Sequence, residues 1–141
     1  MNYVDLGLSV KWSDCNVGAE SPEEAGKHYC FDDIKDYQNL PTIEQWEELQ
    51  RECSFKCDKE KNGVRVIGKN GNEIFFPFAG EKDGQVEERT VGAFFWSGTE
   101  YSDEFAWYAY FAKKVYSKTL NRDLAWISKN KFHISARTIE L

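Results

Sequence analysis

The sequence lacks the marks of several enzyme classes. No glycine-rich phosphate loop, GxSxG elbow, HExxH motif or kinase signature occurs in its 141 residues, which excludes the enzymes that depend on those motifs. Histidine is limited to His28 and His133, and no catalytic signature surrounds any cysteine. Nucleophilic Cys/His chemistry therefore has little support. We predict that the chain is not an enzyme and has no cofactor.

Long apolar runs and a signal peptide are also missing. No apolar run approaches the length that spans a bilayer. The opening MNYVDLGL has neither the basic region nor the long apolar region of a secretory signal. We expect no membrane partner. The sequence does not determine the cellular compartment, because Met1 can also begin a domain excised from an extracellular or phage-borne protein.

Basic residues are scarce until the C-terminal part of the chain. The net charge is −6; residues 1–112 carry eleven Lys/Arg against twenty-two Asp/Glu, whereas residues 113–141 carry seven against two. Such an acidic body disfavours duplex nucleic acid as a partner. The basic tail either faces an anionic partner or keeps exposed strand edges soluble.

The four cysteines, Cys15, Cys30, Cys53 and Cys57, all lie in the first half of the chain. Their even number fits two disulfides, and it equally fits buried free thiols in a reducing compartment. With His28, three of them offer soft ligands for zinc, but the spacing is not a recognised zinc pattern. We predict no metal site.

Aromatic residues, by contrast, are abundant. They make up 16% of the chain, and residues 94–111, FFWSGTEYSDEFAWYAYF, hold nine rings in eighteen positions. A chain of this length is predicted to form one domain, 1–141, with one main core. Five of the rings are expected to fill that core: Phe94, Trp96, Phe105, Trp107 and Phe111.

The N-terminal part predicts a strand and two helices. Apolar residues at alternate positions predict a strand over 2–12. The string SPEE at 21–24 has the capping residues of a short helix. In LPTIEQWEELQREC, Thr42 and Gln45 form a capping box, and the apolar residues after it share one helical face.

The rest of the chain predicts mostly strands. Two β-rich runs around Asn70-Gly71 predict a hairpin, and the polar residues 79–92 predict a long surface loop. In a strand over 105–111, Tyr108 and Tyr110 lie on the face opposite to the other rings. There they either meet a partner or pack under the long loop with only their hydroxyls exposed. The C-terminal residues predict, in order, a turn at 113–114, a strand over 115–120, an irregular connection over 121–131 and a last strand over 132–139. Because no βαβ rhythm occurs, the predicted class is α+β with mostly antiparallel pairing.

Six sequence blocks carry a resemblance to a known family. The blocks YVDLGLSVKWSDCNVGA, SPEE, LPTIEQWEEL, NGNEIFFPFAG, FFWSGTEYSDEFAWYAYF and FHISARTI cover nearly the whole chain. In this order they resemble the Fibrobacter major paralogous domain family. That family is similar to the C-type-lectin-like group, which includes formylglycine-generating enzymes and variable proteins diversified by retroelements. The resemblance implies a C-type-lectin-like fold with paired terminal strands, two helices, a mostly antiparallel sheet and a long irregular region.

Three departures limit what the resemblance implies. Formylglycine-generating enzymes use cysteines in the C-terminal part of the domain, and this chain has none beyond Cys57. The EPN, QPD and WND motifs of calcium-dependent lectins do not occur either, so calcium-mediated sugar binding is not expected. Cys30 and Cys57 stand where the family carries aromatic residues. The resemblance implies that a disulfide or thiol pair replaces a ring contact there.

The expected function is non-catalytic recognition of a protein or glycan through an aromatic face. The resemblance places that face in the last third of the domain, on strand and loop positions held by a stable scaffold. The alternative is a structural or assembly module whose exposed rings make self-contacts, and the oligomeric state stays open. The candidate ligand-binding residues are Tyr101, Asp103, Tyr108, Tyr110, Tyr116, Asn121, Arg122, Trp126 and Asn130.

Overall fold

The fold is α+β and its strands pair antiparallel, as predicted. A computed structural model describes residues 1–81 and 90–141 of the chain. In these residues two helices and three three-stranded antiparallel sheets are present. The elements are β1 (Tyr3–Val4), β2 (Lys11–Ser13), α1 (Phe31–Ile34), α2 (Ile43–Glu52), β3 (Ser54–Asp58), β4 (Gly63–Ile67), β5 (Glu73–Pro77), β6 (Thr90–Glu100), β7 (Phe105–Lys114), β8 (Asn121–Ser128) and β9 (Ile139–Glu140). Neither helix is long and apolar enough to cross a membrane.

The two ends of the chain lie in one sheet, in the order β1-β2-β9. Trp12 of β2 is paired with Val4 on one side and with Ile139 on the other. This confirms that the first and last segments lie side by side. It also places Trp12, which is fully buried, at the centre of the terminal sheet.

The continuous strand predicted over 2–12 is wrong. The chain turns after β1, where the backbone N–H of Gly7 donates to Oδ1 of Asp5 at 2.8 Å and Gly7 has a φ of +79°. Leu6 and Val10 are buried all the same. The alternation of apolar residues therefore reports burial correctly, but a local turn interrupts the extended backbone.

The short helix predicted at SPEE is also wrong. Residues 21–24 form a turn, in which the backbone N–H of Glu24 donates to the carbonyl of Ser21 at 3.2 Å. Gly26 follows with a φ of +71°, a left-handed conformation that a helix cannot include. The short helix is instead α1, which starts after Cys30 and buries Phe31 and Ile34.

Helix α2 confirms the prediction made from its capping box. Oγ1 of Thr42 accepts from the backbone N–H of Gln45 at 3.2 Å, and Oε1 of Gln45 accepts from the N–H of Thr42 at 2.8 Å. The helix buries Ile43, Trp46 and Leu49. Trp46 is at the centre of the larger core, where it packs on the rings of Trp12, Phe76, Phe95 and Phe111.

The predicted hairpin is confirmed as β4 and β5. Gly71, with a φ of +90°, lies in the turn between them, and its N–H donates to the carbonyl of Gly68 at 3.0 Å. Strand β3, which no prediction covered, pairs with β4 along its whole length. In SFKCD, Phe55 and Cys57 alternate with polar residues, but the run is only five residues long and none of its side chains is fully buried, so the signal is weak.

Five predictions for the second half of the chain are wrong in whole or in part. Residues 113–114 belong to β7 and are not a turn, residues 115–120 are the turn and not a strand, and β8 stands where an irregular connection was predicted. Of the predicted last strand over 132–139, only Ile139 is in a strand, while Ile134 and Ser135 form isolated bridges. The predicted loop over 79–92 ends early because β6 begins at Thr90, and its residues 82–89 lie outside the described residues.

Both faces of the largest sheet, β6-β7-β8, are covered, so the described residues form a smaller core cluster beside the one main core that was predicted. One face contributes Phe95, Ala109 and Phe111 to the larger cluster around α2. The opposite face contributes Trp96 and Ala106 to a smaller cluster with residues of α1 and the C-terminal segment. Of the five rings predicted to fill the core, Trp96 and Phe111 are buried, whereas Phe94, Phe105 and Trp107 are half-buried.

Candidate functional site

Tyr101 and Trp126 form a parallel pair of rings at one end of the largest sheet. Their centroids are 4.3 Å apart and their planes differ by 1°. Tyr101 is 48% exposed and Trp126 is 46% exposed. Large hydrophobic side chains with that exposure are candidates for contact with a partner when they are held together.

Trp107 lies beside this pair and completes a group that we call the aromatic cluster (Tyr101, Trp107 and Trp126). Its centroid is 5.5 Å from that of Tyr101 and 5.0 Å from that of Trp126, with interplanar angles of 77° and 78°. Because both distances are similar, Trp107 contacts the edges of the two rings and does not continue their stack. The outer faces of Tyr101 and Trp126 are therefore not covered by Trp107.

The backbone holds the aromatic cluster in place. Trp107 of β7 and Trp126 of β8 are direct cross-strand partners, so their side chains share one face of the sheet. Tyr101 lies in the turn between β6 and β7, where the N–H groups of Tyr101 and Ser102 donate to the carbonyl of Phe105 at 2.9 and 3.0 Å. Oγ of Ser97 donates to the carbonyl of Trp107 at 2.7 Å.

Acidic residues flank Tyr101, and one of them forms an ion pair. Asp103 and Glu104 are exposed. Nζ of Lys129 lies 2.8 Å from a carboxylate oxygen of Glu100, and this hydrogen bond and the charge of Lys129 lower the pKa of Glu100. The backbone N–H of Lys129 also donates to the carbonyl of Glu104 at 3.0 Å, which ties the end of β8 to the Tyr101 turn.

The structure brings four of the nine predicted ligand-binding residues to this end of the sheet. Tyr101 and Asp103 lie in the β6–β7 turn, Trp126 lies on β8, and Asn130 follows two residues after β8 ends. All four are exposed. Their common location, in contrast to the remaining five residues, makes this end of the sheet the candidate site.

Tyr108 and Tyr110 lie on the other face of β7 and are half-buried. They pack on each other and on Phe94, with centroid distances between 5.8 and 6.4 Å. Burial raises the pKa of Tyr108 to about 12, helped by the nearby Tyr110, and burial also raises the pKa of Tyr110. Their own chain covers part of both rings, so they do not extend the aromatic cluster.

The last three predicted residues lie at the opposite end of the β7–β8 hairpin. Tyr116 is 75% exposed in the turn. Nη1 of Arg122 donates to the carbonyl of Gln50 at 3.2 Å, and its guanidinium lies 4.5 Å from the ring centroid of Phe55, which attaches the strand to α2 and β3. Asn121 helps to line a cleft of about 400 Å³. The predicted surface is therefore divided among three places.

Sequence reasoning assigned Trp107 to the core, and it does pack against the larger core cluster, but it also belongs to the site. It is half-buried and supports the two exposed rings from the side. A strand predicted over 121–128 would have indicated that Trp107 belongs to the site, because pairing of that strand with β7 makes Trp107 and Trp126 cross-strand neighbours. That strand was not predicted, because the segment begins with the polar and charged residues NRD.

All four cysteines are free in the structure. Sγ of Cys30 donates to Oδ2 of Asp33 at 3.1 Å, and burial raises the pKa of this thiol. Cys57 lies on β3 opposite Val64. No disulfide is therefore formed, and the thiol pair of Cys30 and Cys57 stays a prediction for thiol titration to test.

No metal site is present in the part of the chain that the structure describes, where no three His, Cys, Asp or Glu side chains come together to hold an ion. Nε2 of His28 lies 3.0 Å from the carbonyl of Ala79, to which it donates. The soft ligands considered for zinc therefore do not converge.

The chain matches no protein-family model, no curated protein and no solved structure at a significant level. The geometry of the aromatic cluster is therefore the main support for a functional assignment.

Proposed function

We propose that the chain is a non-catalytic recognition domain that binds a protein or glycan ligand through the aromatic cluster. One observation carries the proposal: two parallel, stacked rings, Tyr101 and Trp126, are each about half exposed and are held in a fixed arrangement. Tyr and Trp give a large contact area at a small cost in side-chain entropy, and they dominate the energetics of many interfaces.

The rigidity of the aromatic cluster supports this proposal. Trp107 contacts both exposed rings, and the hydrogen-bonded turn after β6 fixes the backbone of Tyr101. Rings that are already ordered lose little conformational freedom on binding, so more of the contact energy remains as affinity. This is the arrangement expected of a preformed binding surface.

We also propose the C-type-lectin-like fold and membership of the Fibrobacter major paralogous domain family. Support comes from the sheet β1-β2-β9, which contains both ends of the chain, and from the two helices. Further support comes from Arg137 of the FHISARTI block, which donates hydrogen bonds to Ser13 and Asn16 of the first block. Such a domain would be presented on a cell surface, a phage particle or a larger assembly.

The test is an array that carries glycans and proteins, probed with the purified domain. Trp126→Ala removes one exposed ring of the aromatic cluster. Tyr116→Ala is the matched control, because it removes an exposed ring at the other end of the hairpin, about 24 Å away along β7. We expect the wild type and Tyr116→Ala to bind the same spots and Trp126→Ala to lose them.

Two results would contradict this assignment. Unchanged binding by Trp126→Ala, with a circular dichroism spectrum like that of the wild type, would mean that the ligand contacts another surface. A stable homo-oligomer in gel filtration that Trp126→Ala dissociates, together with an empty array, would favour the structural or assembly module.

A further inference from the structure

The two outer ring faces of the aromatic cluster point away from each other. Tyr101 and Trp126 are parallel, and their inner faces close on one another at 4.3 Å. Within residues 1–81 and 90–141, Trp107 is the only other ring in contact with them, and no cation lies over either ring. Neither outer face is covered by another ring in the described residues, and about half of each residue is exposed to a ligand.

The exposed area of these faces is small. A buried Tyr or Trp covers about 150–250 Å², so two half-exposed rings offer roughly 200 Å² together. A specific protein partner needs about 800 Å² on each side. The other exposed large hydrophobics of the hairpin, Val115 and Tyr116, lie at its opposite end and cannot enlarge the patch. The rings alone match one or two ring-sized ligand units, whereas a protein partner would also have to contact surface outside the aromatic cluster.

The charges of the turn that holds Tyr101 disfavour anionic ligands. Asp103 and Glu104 are exposed in this turn. Glu100 is paired with Ala106, on the other face of the sheet from Trp107 and Trp126, and its carboxylate binds Lys129. An acidic glycan or a nucleic acid would meet like charge here. Carboxylates accept hydrogen bonds and donate none when ionised, so a neutral ligand rich in hydroxyl donors is complementary to this rim.

From these features we propose that the outer faces of Trp126 and Tyr101 bind neutral hexopyranose units of a glycan. This rests on the proposed function and specifies its ligand. A pyranose ring carries C–H groups on its flat face and hydroxyl groups around its rim. The C–H groups pack on the electron-rich ring face, and the hydroxyls donate to Asp103 and Glu104. A quaternary ammonium ion fits less well, because it needs ring faces that converge around it and these faces diverge.

The experiment is a titration of the purified domain with neutral hexasaccharides, followed by calorimetry and tryptophan fluorescence. The probes are cellohexaose, laminarihexaose, mannohexaose and chitohexaose; a heparin hexasaccharide and a trimethyllysine peptide are the charged comparisons. We expect at least one neutral probe to bind and to change the tryptophan emission. Trp126→Ala should weaken that binding about tenfold or more, Trp126→Phe should retain most of it, and Tyr116→Ala should leave it unchanged.

The outcomes separate this inference from the proposed function. If no neutral probe binds, or if the heparin fragment or the trimethyllysine peptide binds more tightly, the sugar inference is overturned. If, in addition, a protein on the array binds in a Trp126-dependent way, the recognition function stands without the sugar. If neither sugars nor proteins bind in a Trp126-dependent way, both proposals fail.

Discussion

Arg137 and Asn16 form a buried pair that joins the last segment of the chain to the first. Nε and Nη2 of Arg137 donate to Oδ1 of Asn16 at 3.0 and 2.6 Å, and Nη1 donates to the carbonyl of Ser13 at 3.1 Å. The guanidinium also lies 4.2 Å from the ring centroid of Phe76. Burial lowers the pKa of Arg137 to about 9, so the group is still charged at neutral pH; these acceptors and the charge of nearby Asp14 stabilise it.

Replacement of Asn16 by alanine is expected to destabilise the fold strongly. The substitution removes the acceptor of two hydrogen bonds and leaves a buried cation with one, which costs about 3–5 kcal/mol in the free energy of unfolding. Urea denaturation followed by circular dichroism measures this. The control is Arg51→Ala, whose surface ion pair with Glu47 should contribute less than about 1 kcal/mol. A loss below about 1 kcal/mol for Asn16→Ala would show that the guanidinium finds other partners.

Local signals in the sequence predicted the fold well only where local contacts decide the structure. The Thr42 capping box and the Asn70-Gly71 turn act within a few residues, and both predictions are confirmed. The capping residues at Ser21 failed because Gly26 takes a left-handed conformation nearby. Residues 54–58 alternate over only five positions, and their pairing with β4, which no single segment of the sequence shows, makes them a strand.

Sequence reasoning identified only part of the candidate site, because the pairing of distant strands decides which residues meet there. Tyr101 and Trp126 were identified as ligand-binding residues, and the structure places them in contact. Their partner Trp107 was assigned to the core, because its neighbour across the strand is set by the register of β7 and β8. Tyr108 and Tyr110 were expected either to meet a partner or to pack within their own chain, and the structure packs both rings on Phe94, next to the smaller core cluster.

Thr42→Ala should lower the free energy of unfolding by about 1 kcal/mol. The hydroxyl of Thr42 accepts from the N–H of Gln45, one of the first N–H groups of α2, and alanine leaves this donor without its side-chain partner. Thr42→Ser is the matched control, since it retains the hydroxyl and should stay within about 0.5 kcal/mol of the wild type. Equal denaturation midpoints for both variants would refute the contribution of the cap.

Tyr108 should ionise later than an ordinary tyrosine when the pH is raised. Burial raises its pKa from 10 to about 12, so between these values the folded state keeps a proton that the unfolded state loses. Its contribution to stability is therefore complete below pH 10 and is lost as the pH rises through 12. An ultraviolet titration of tyrosinate should show a late step that is missing in Tyr108→Phe. If the step persists in that variant, Tyr108 is not the buried phenol.

The Lys129–Glu100 ion pair should make stability sensitive to acid near the aromatic cluster. The hydrogen bond from Lys129 lowers the pKa of Glu100 below its usual 4.5, so the folded state loses its proton more readily than the unfolded state. The contribution is present above about pH 4.5 and is lost as the pH falls through the lower, folded value.

Lys129→Met tests this ion pair, because it retains a long side chain in a site where Lys129 is only 8% exposed but removes the charge. The pKa of Glu100, followed by NMR of its carboxyl carbon, should rise in the variant. The loss of thermal stability between pH 5 and pH 3 should then be smaller than in the wild type, since one acid-sensitive contact is gone. An unchanged Glu100 titration would mean that solvent, and not Lys129, determines its pKa.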